Sequence, residues 1–207
     1  MKMLKIYQVD AFADRVFTGN PAAVCVLDQW LPEETMQSIA MENNLAETAF
    51  TVLESEGYHI RWFTPEVEVA LCGHATLATA FVLFNYYDFP GTVITFSSER
   101  SGLLSVEKGK DDLLTLDFPV DTLKEIAPVA QLNEALGIVP EKTLKGKTDY
   151  LLIYAEEQQI RDIEPIFSLL NKVDARGVIV SAPGKEVDFV SRFIAPQSGV
   201  SEDPVTG

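Results

Sequence analysis

The chain has 207 residues, 47% of them hydrophobic, enough for one large domain or two small ones with a proper core. Its 16 basic against 31 acidic residues give a net charge of −15, which argues against nucleic acid and against anionic membrane surfaces as partners. Two distant cysteines, Cys25 and Cys72, make neither a disulfide framework nor a zinc motif, so a reduced, cytoplasmic protein is expected.

The start, Met1 to Asp10, has no apolar run or cleavage site of a signal peptide, and no stretch is long enough to span a membrane. Leu4 to Phe12 reads as a first strand, rich in β-branched and aromatic residues. Phe17-Thr18-Gly19-Asn20-Pro21 reads as a turn, and Ala22 to Leu27 as the returning strand. Pro32 opens a helix through about Glu42, with Glu33 and Glu34 suited to its first turn and Asn43-Asn44 ending it. A strand ending near Leu53 and another over His59 to Phe63 flank a polar turn.

Leu71 to Tyr87 is the most informative stretch. From Ala75 to Leu83 it has no charge and shows apolar side chains on every face, so it predicts a helix at about 74–87 that is buried all round. Cys72-Gly73-His74 puts a thiol, a flexible backbone and an imidazole at its N-terminus, where unpaired N–H groups and the positive dipole end favour an anion. Strands follow at Thr92–Ser97, Leu103–Glu107 and Leu113–Phe118. Strands, one buried helix and more strands predict an α+β unit, a mostly antiparallel sheet rolled around a helix.

Pro119 to Pro128 reads as a boundary, giving half-domains 1–118 and 119–207. The second contains an expected helix at Val129–Leu136 closed by Gly137, a strand at Asp149–Ala155, a helix at Ile163–Leu170, and strands at Gly177–Ser181 and Val187–Ile194. Arg61-Trp62-Phe63-Thr64-Pro65-Glu66 is echoed by Arg192-Phe193-Ile194-Ala195-Pro196-Gln197, an Arg-aromatic strand ending at a proline. In the first half the loop delivers a buried helix; in the second the sequence stops at the equivalent point. We therefore expect the second half to lack its central helix, as part of a longer chain.

Several pieces together resemble the PhzF-like phenazine biosynthesis family, relatives of diaminopimelate epimerase. They are Val9-Asp10-Ala11-Phe12, Phe17 to Val24, Asn44 to Phe50, Arg61 to Pro65, Cys72 to Ala78 and Glu202-Asp203-Pro204-Val205-Thr206-Gly207, in family order across nearly the whole chain. The resemblance implies a diaminopimelate epimerase-like fold: two pseudo-symmetric halves, each a curled sheet around a central helix. It also implies a cofactor-independent isomerase and, as a weak default, a homodimer.

Moving a proton on a carbon acid requires a base to remove it and an acid to return it. Glu47, flanked by Leu45, Ala46 and Phe50, is the candidate, in a setting apolar enough to raise its pKa; a solvent-facing strand-edge glutamate is the plain alternative. The resemblance points to the same residue, with His74 and Asp203 working beside it. The backbone at Gly73 and Gly207 would then cradle a substrate carboxylate, and Asn20 would add a polar contact. A core histidine, a helix-start acidic residue and a turn asparagine are the structural alternatives.

Cys72 opens a second reading, a cysteine-dependent amino-acid racemase or epimerase, in which a thiol pair exchanges protons across the substrate. The partner motif Asp203 to Gly207 has no cysteine, so one carboxylate shuttling the proton fits better. A catalytically inactive binding protein of the same fold is the third reading. No histidine spacing supports a metal site, and no Gly-rich phosphate motif supports a nucleotide cofactor.

Overall fold

Strands rich in β-branched and aromatic residues and one apolar helix build the first of two compact units. In the computed structural model, residues 3–15, 17–55, 57–203 and 205 are described. One unit runs to Pro119; the other begins at Val120.

The first unit contains β1 (Tyr7–Ala11), β2 (Asn20–Leu27), α1 (Glu33–Asn43), β3 (Glu47–Glu54), β4 (Gly57–Phe63), β5 (Glu68–Val69), α2 (Gly73–Tyr86), β6 (Val93–Ser98), β7 (Gly102–Lys108) and β8 (Leu114–Asp117). They form one sheet in the order β1-β2-β3-β4-β6-β7-β8, with β5 paired to β4. Most neighbours are antiparallel. The pairs β2–β3 and β4–β6 are parallel, because a parallel return needs a crossover and α1 and α2 supply them.

Side chains alternate across a strand, so each central strand serves two cores. Ala22 and Val24 of β2, Ala49 of β3, and Ile60 and Trp62 of β4 pack with Ala75, Ala78, Val82 and Leu83 of α2. The residues between them, Cys25, Leu27, Phe50, Val52 and Phe63, pack with Met36 and Ala40 of α1. Asn44, left-handed at φ 51°, ends α1, and its N–H donates to the Ala40 carbonyl. Within α2 the two threonines that interrupt the apolar run are satisfied internally. Thr76 Oγ1 donates to the Cys72 carbonyl at 2.6 Å and Thr79 Oγ1 to the Ala75 carbonyl at 2.7 Å.

The second unit contains β9 (Lys124–Ile126), α3 (Ala130–Leu136), β10 (Lys142–Lys145), β11 (Asp149–Ile153), α4 (Glu157–Asp162), α5 (Phe167–Leu170), β12 (Gly177–Pro183), β13 (Phe189–Ala195) and β14 (Val200–Asp203). Its sheet runs β14-β13-β12-β11-β10-β9, with only β11–β12 parallel. Leu152, Val178, Val180 and Ile194 face Leu132, Leu136, Ile160 and Leu170 of its helices. Leu144, Leu151, Ile179 and Phe193 stand in register on the opposite face, away from those helices.

The helix expected over Ile163–Leu170 is shorter and later. Pro165 has no N–H to donate, and only Phe167–Leu170 is helical. Among the described residues no helix is long and apolar enough to cross a membrane.

Candidate active site

Gly19 sets the entry to the site. It adopts φ 76°, and a Cβ there would collide with the Ala11 carbonyl oxygen, so only glycine fits the turn from β1 into β2. The next residue, Asn20, opens β2 opposite Ala11 and is 0% exposed. Glu47 opens β3 in the neighbouring parallel position, two residues out of step, paired with Ala22. β3 lies between β2 and β4, so Glu47 is not on a strand edge, and its side chain is only 15% exposed.

The N-terminus of α2 completes the cluster. Cys72 stands at the N-cap in extended conformation (φ −146°, ψ 113°) and makes no side-chain cap. The first turn of this buried helix, at the positive end of its dipole, thus takes no cap from the Cys72 side chain. Gly73 is half-buried, and a Cβ on it would meet the Phe118 ring at 3.6 Å, an ordinary contact.

His74 is the hub. Its Nε2 lies 3.3 Å from Glu47 Oε2, close but out of line for a full hydrogen bond. Its Nδ1 lies 3.2 Å from Asn20 Nδ2 and 3.4 Å from Cys72 Sγ. Burial pushes the imidazole pKa down to about 4, so the ring is neutral at pH 7. The donor atoms of Glu47, Cys72 and His74 lie within 4.8 Å of one another. The thiol approaches one ring nitrogen and the carboxylate the other, so the arrangement divides the ring between two neighbours rather than converging on a single cation.

Five of the candidate residues, Asn20, Glu47, Cys72, Gly73 and His74, thus meet in the first unit. Asp203 belongs to the second, at the end of β14 and paired with Phe193. Gly207 lies outside the described residues.

Two supporting features escaped the sequence reading. Thr64 Oγ1 accepts from the N–H groups of Glu66 and Val67 and closes the turn into β5. Arg61 then grips Glu68 of β5 by a two-bond fork. In the second unit Arg192 and Glu202 make the same fork. The signal for both was an arginine inside an otherwise apolar strand. Counting from the forks, the step from Glu68 to Cys72 leads from Glu202 to Thr206. A threonine therefore stands at the position in the second half that matches the thiol.

Comparison with known proteins agrees with this architecture. The PhzC-PhzF family model, described as phenazine biosynthesis-like protein, matches residues 9–207. A Pseudomonas aeruginosa protein described as an uncharacterized isomerase is 55% identical over 205 residues, covering 99% of this chain and 77% of that protein. The crystal structure of a phenazine biosynthesis protein of the PhzF family from Enterococcus faecalis superposes with a TM-score of 0.89 at 49% identity, over 99% of this chain and 78% of that one. A hydroxyproline epimerase from Agrobacterium vitis shares the fold alone, with a TM-score of 0.63 at 10% identity, over 93% of this chain and 70% of that one.

Proposed function

The chain belongs to the phenazine biosynthesis-like protein family, and on that premise we propose that it is a cofactor-independent isomerase moving a proton on a small carboxylate-bearing metabolite. Glu47 is the general acid/base of this reading. The observation that carries it is the placement of a mostly buried carboxylate, Glu47 Oε2, 3.3 Å from His74 Nε2 at the start of α2. A substrate carboxylate would bind the first-turn N–H groups at Gly73 and His74, at the positive end of the helix dipole, which suits an anion. Glu47 would take a proton from one carbon and return it to another on the same face, the electron pair being held meanwhile by the conjugated substrate. Two cysteines far apart in the sequence suit action in the reducing cytoplasm, and a homodimer is the proposed assembly.

The test is hydrogen exchange. The protein is incubated in D2O with a panel of small unsaturated, 2-amino and 2-hydroxy acids, and proton NMR follows loss or migration of the carbon-bound hydrogen. Turnover should fall at least about 100-fold in Glu47→Gln, with circular dichroism and unfolding midpoint retained. A variant that turns over like the parent would overturn the reading.

Cys72 Sγ, 3.4 Å from His74 Nδ1, keeps the racemase reading in view as the second choice. That reading requires iodoacetamide labelling of Cys72 to abolish exchange, and full activity in Cys72→Ala would remove it. Thr206 at the matching position argues against a thiol pair.

A further inference from the structure

We infer that Asn20 is a positioning residue that fixes the tautomer of His74, keeping the ring proton on Nε2, where it faces Glu47. The inference rests on the reading of Glu47 and His74 as the proton-handling pair, and deepens it. An asparagine Nδ2 can only donate, so a ring nitrogen 3.2 Å away that pairs with it must present its lone pair. That nitrogen is Nδ1. The thiol of Cys72, 3.4 Å from the same Nδ1, has an S–H that can also point there. The amide donor at Nδ1 leaves the ring proton on Nε2, 3.3 Å from Glu47 Oε2, and Cys72 Sγ, which can donate or accept, is compatible with that placement.

The choice of tautomer has chemical consequences because the ring is neutral. A bare Nε2 would set its lone pair against the lone pairs of the Glu47 carboxylate in a site with little water. A protonated Nε2 instead presents a fixed in-plane hydrogen toward Glu47, which a rotation of the carboxylate brings into line with Oε2. It stabilises the anionic glutamate, the form that removes a proton from substrate. Asn20 is well placed for such a task. It is 0% exposed, sits on a strand rather than a loop, and follows a glycine that no other residue can replace. A side chain selected only to end a turn needs none of these.

The test reads the ring directly. Protein labelled with 15N-histidine is examined at pH 7 by long-range 1H–15N correlation, which distinguishes a bare from a protonated ring nitrogen. The parent should show His74 Nδ1 bare and Nε2 protonated. Asn20→Asp places an acceptor against Nδ1 and should reverse the pattern, with turnover falling by about 100-fold or more and KM changing less than about threefold. Asn20→Ser shortens the side chain and offers a hydroxyl that can donate or accept, so it should leave both ring tautomers populated with turnover between those of the parent and Asn20→Asp. A parent spectrum with the proton on Nδ1 would overturn the inference, as would an unchanged tautomer in folded Asn20→Asp. Should that variant not fold, the parent and Asn20→Ser spectra decide. Failure of the acid/base reading shows elsewhere, in an active Glu47→Gln enzyme, and leaves the ring spectra standing.

Discussion

Arg61 holds Glu68 by two parallel hydrogen bonds, Nε to Oε1 at 2.7 Å and Nη2 to Oε2 at 2.8 Å. The fork ties β5 to β4 just before the chain turns into α2. A third bond, from Nη2 to Glu33 Oε2 at 2.6 Å, reaches the first turn of α1. One guanidinium thereby fixes the segment that delivers Cys72 and His74.

Removing the guanidinium leaves Glu68, whose side chain is 16% exposed, without its main partner. Arg61→Ala should cost about 2 kcal/mol at pH 7, read by urea unfolding. The hydrogen bond from Arg61 holds the Glu68 carboxyl below its ordinary 4.5. This stabilisation is present above that value and is lost as pH falls below it toward the folded-state value. The gap between parent and variant should therefore narrow at pH 3. A gap of the same size at pH 7 and pH 3 would show that the fork is not its source.

His74 also costs stability as pH falls, but nearer neutrality and because it must stay neutral rather than charged. Its imidazole is pushed down from 6.5 to about 4 by burial, so between these values the unfolded chain binds a proton that the folded one refuses. Stability is full above about pH 6.5, declines as pH falls through this window, and stops declining near 4. The total is on the order of 3 kcal/mol, of which about 1 kcal/mol falls between pH 6.5 and 5.5. His74→Gln should abolish that component, so its urea midpoint should move less than the parent's between pH 7 and 5.5. Equal shifts in the two proteins would contradict the burial argument.

Gly19 gives a third expectation. Any side chain there meets the Ala11 carbonyl in a backbone conformation that L residues rarely adopt. Gly19→Ala should destabilise by about 1–3 kcal/mol and displace Asn20, loosening its grip on His74. Hydrogen exchange at the β1–β2 amides measures the first effect and the 15N spectrum of His74 the second. Protection and spectrum both matching the parent would mean that the turn tolerates a Cβ.

The first unit was legible because its chemistry and its packing use different residues. Apolar runs with a period of two or with no polar face announced β2, β3, β4 and α2, and α2 spans Gly73–Tyr86 against an expected 74–87. The second unit hid its short elements. Lys124–Ile126 and Lys142–Lys145 form strands whose alternation is carried by too few apolar residues to stand out, and β9 lies at the sheet edge, where charge guards against further pairing. Helix α4 buries only Ile160, so it has no apolar stripe. Its signal was the capping box between Glu156 and Gln159, two residues that bond each other's backbone N–H groups. The resemblance had placed Asn20 and His74 in one site, but their direct contact was beyond local pattern, since a contact across 54 positions depends on the parallel return of β3 and the path of α2.

Asn20, Glu47 and Gly73 are each the first residue of the element that carries them, and the apolar anchors of β2, β3 and α2 (Ala22, Ala49 and Ala75) begin two residues later. The scaffold therefore separates what holds it together from what it displays. Conservative changes at residues 20, 47 and 74 should alter turnover while leaving the apolar anchors of the sheet and of α2 in place.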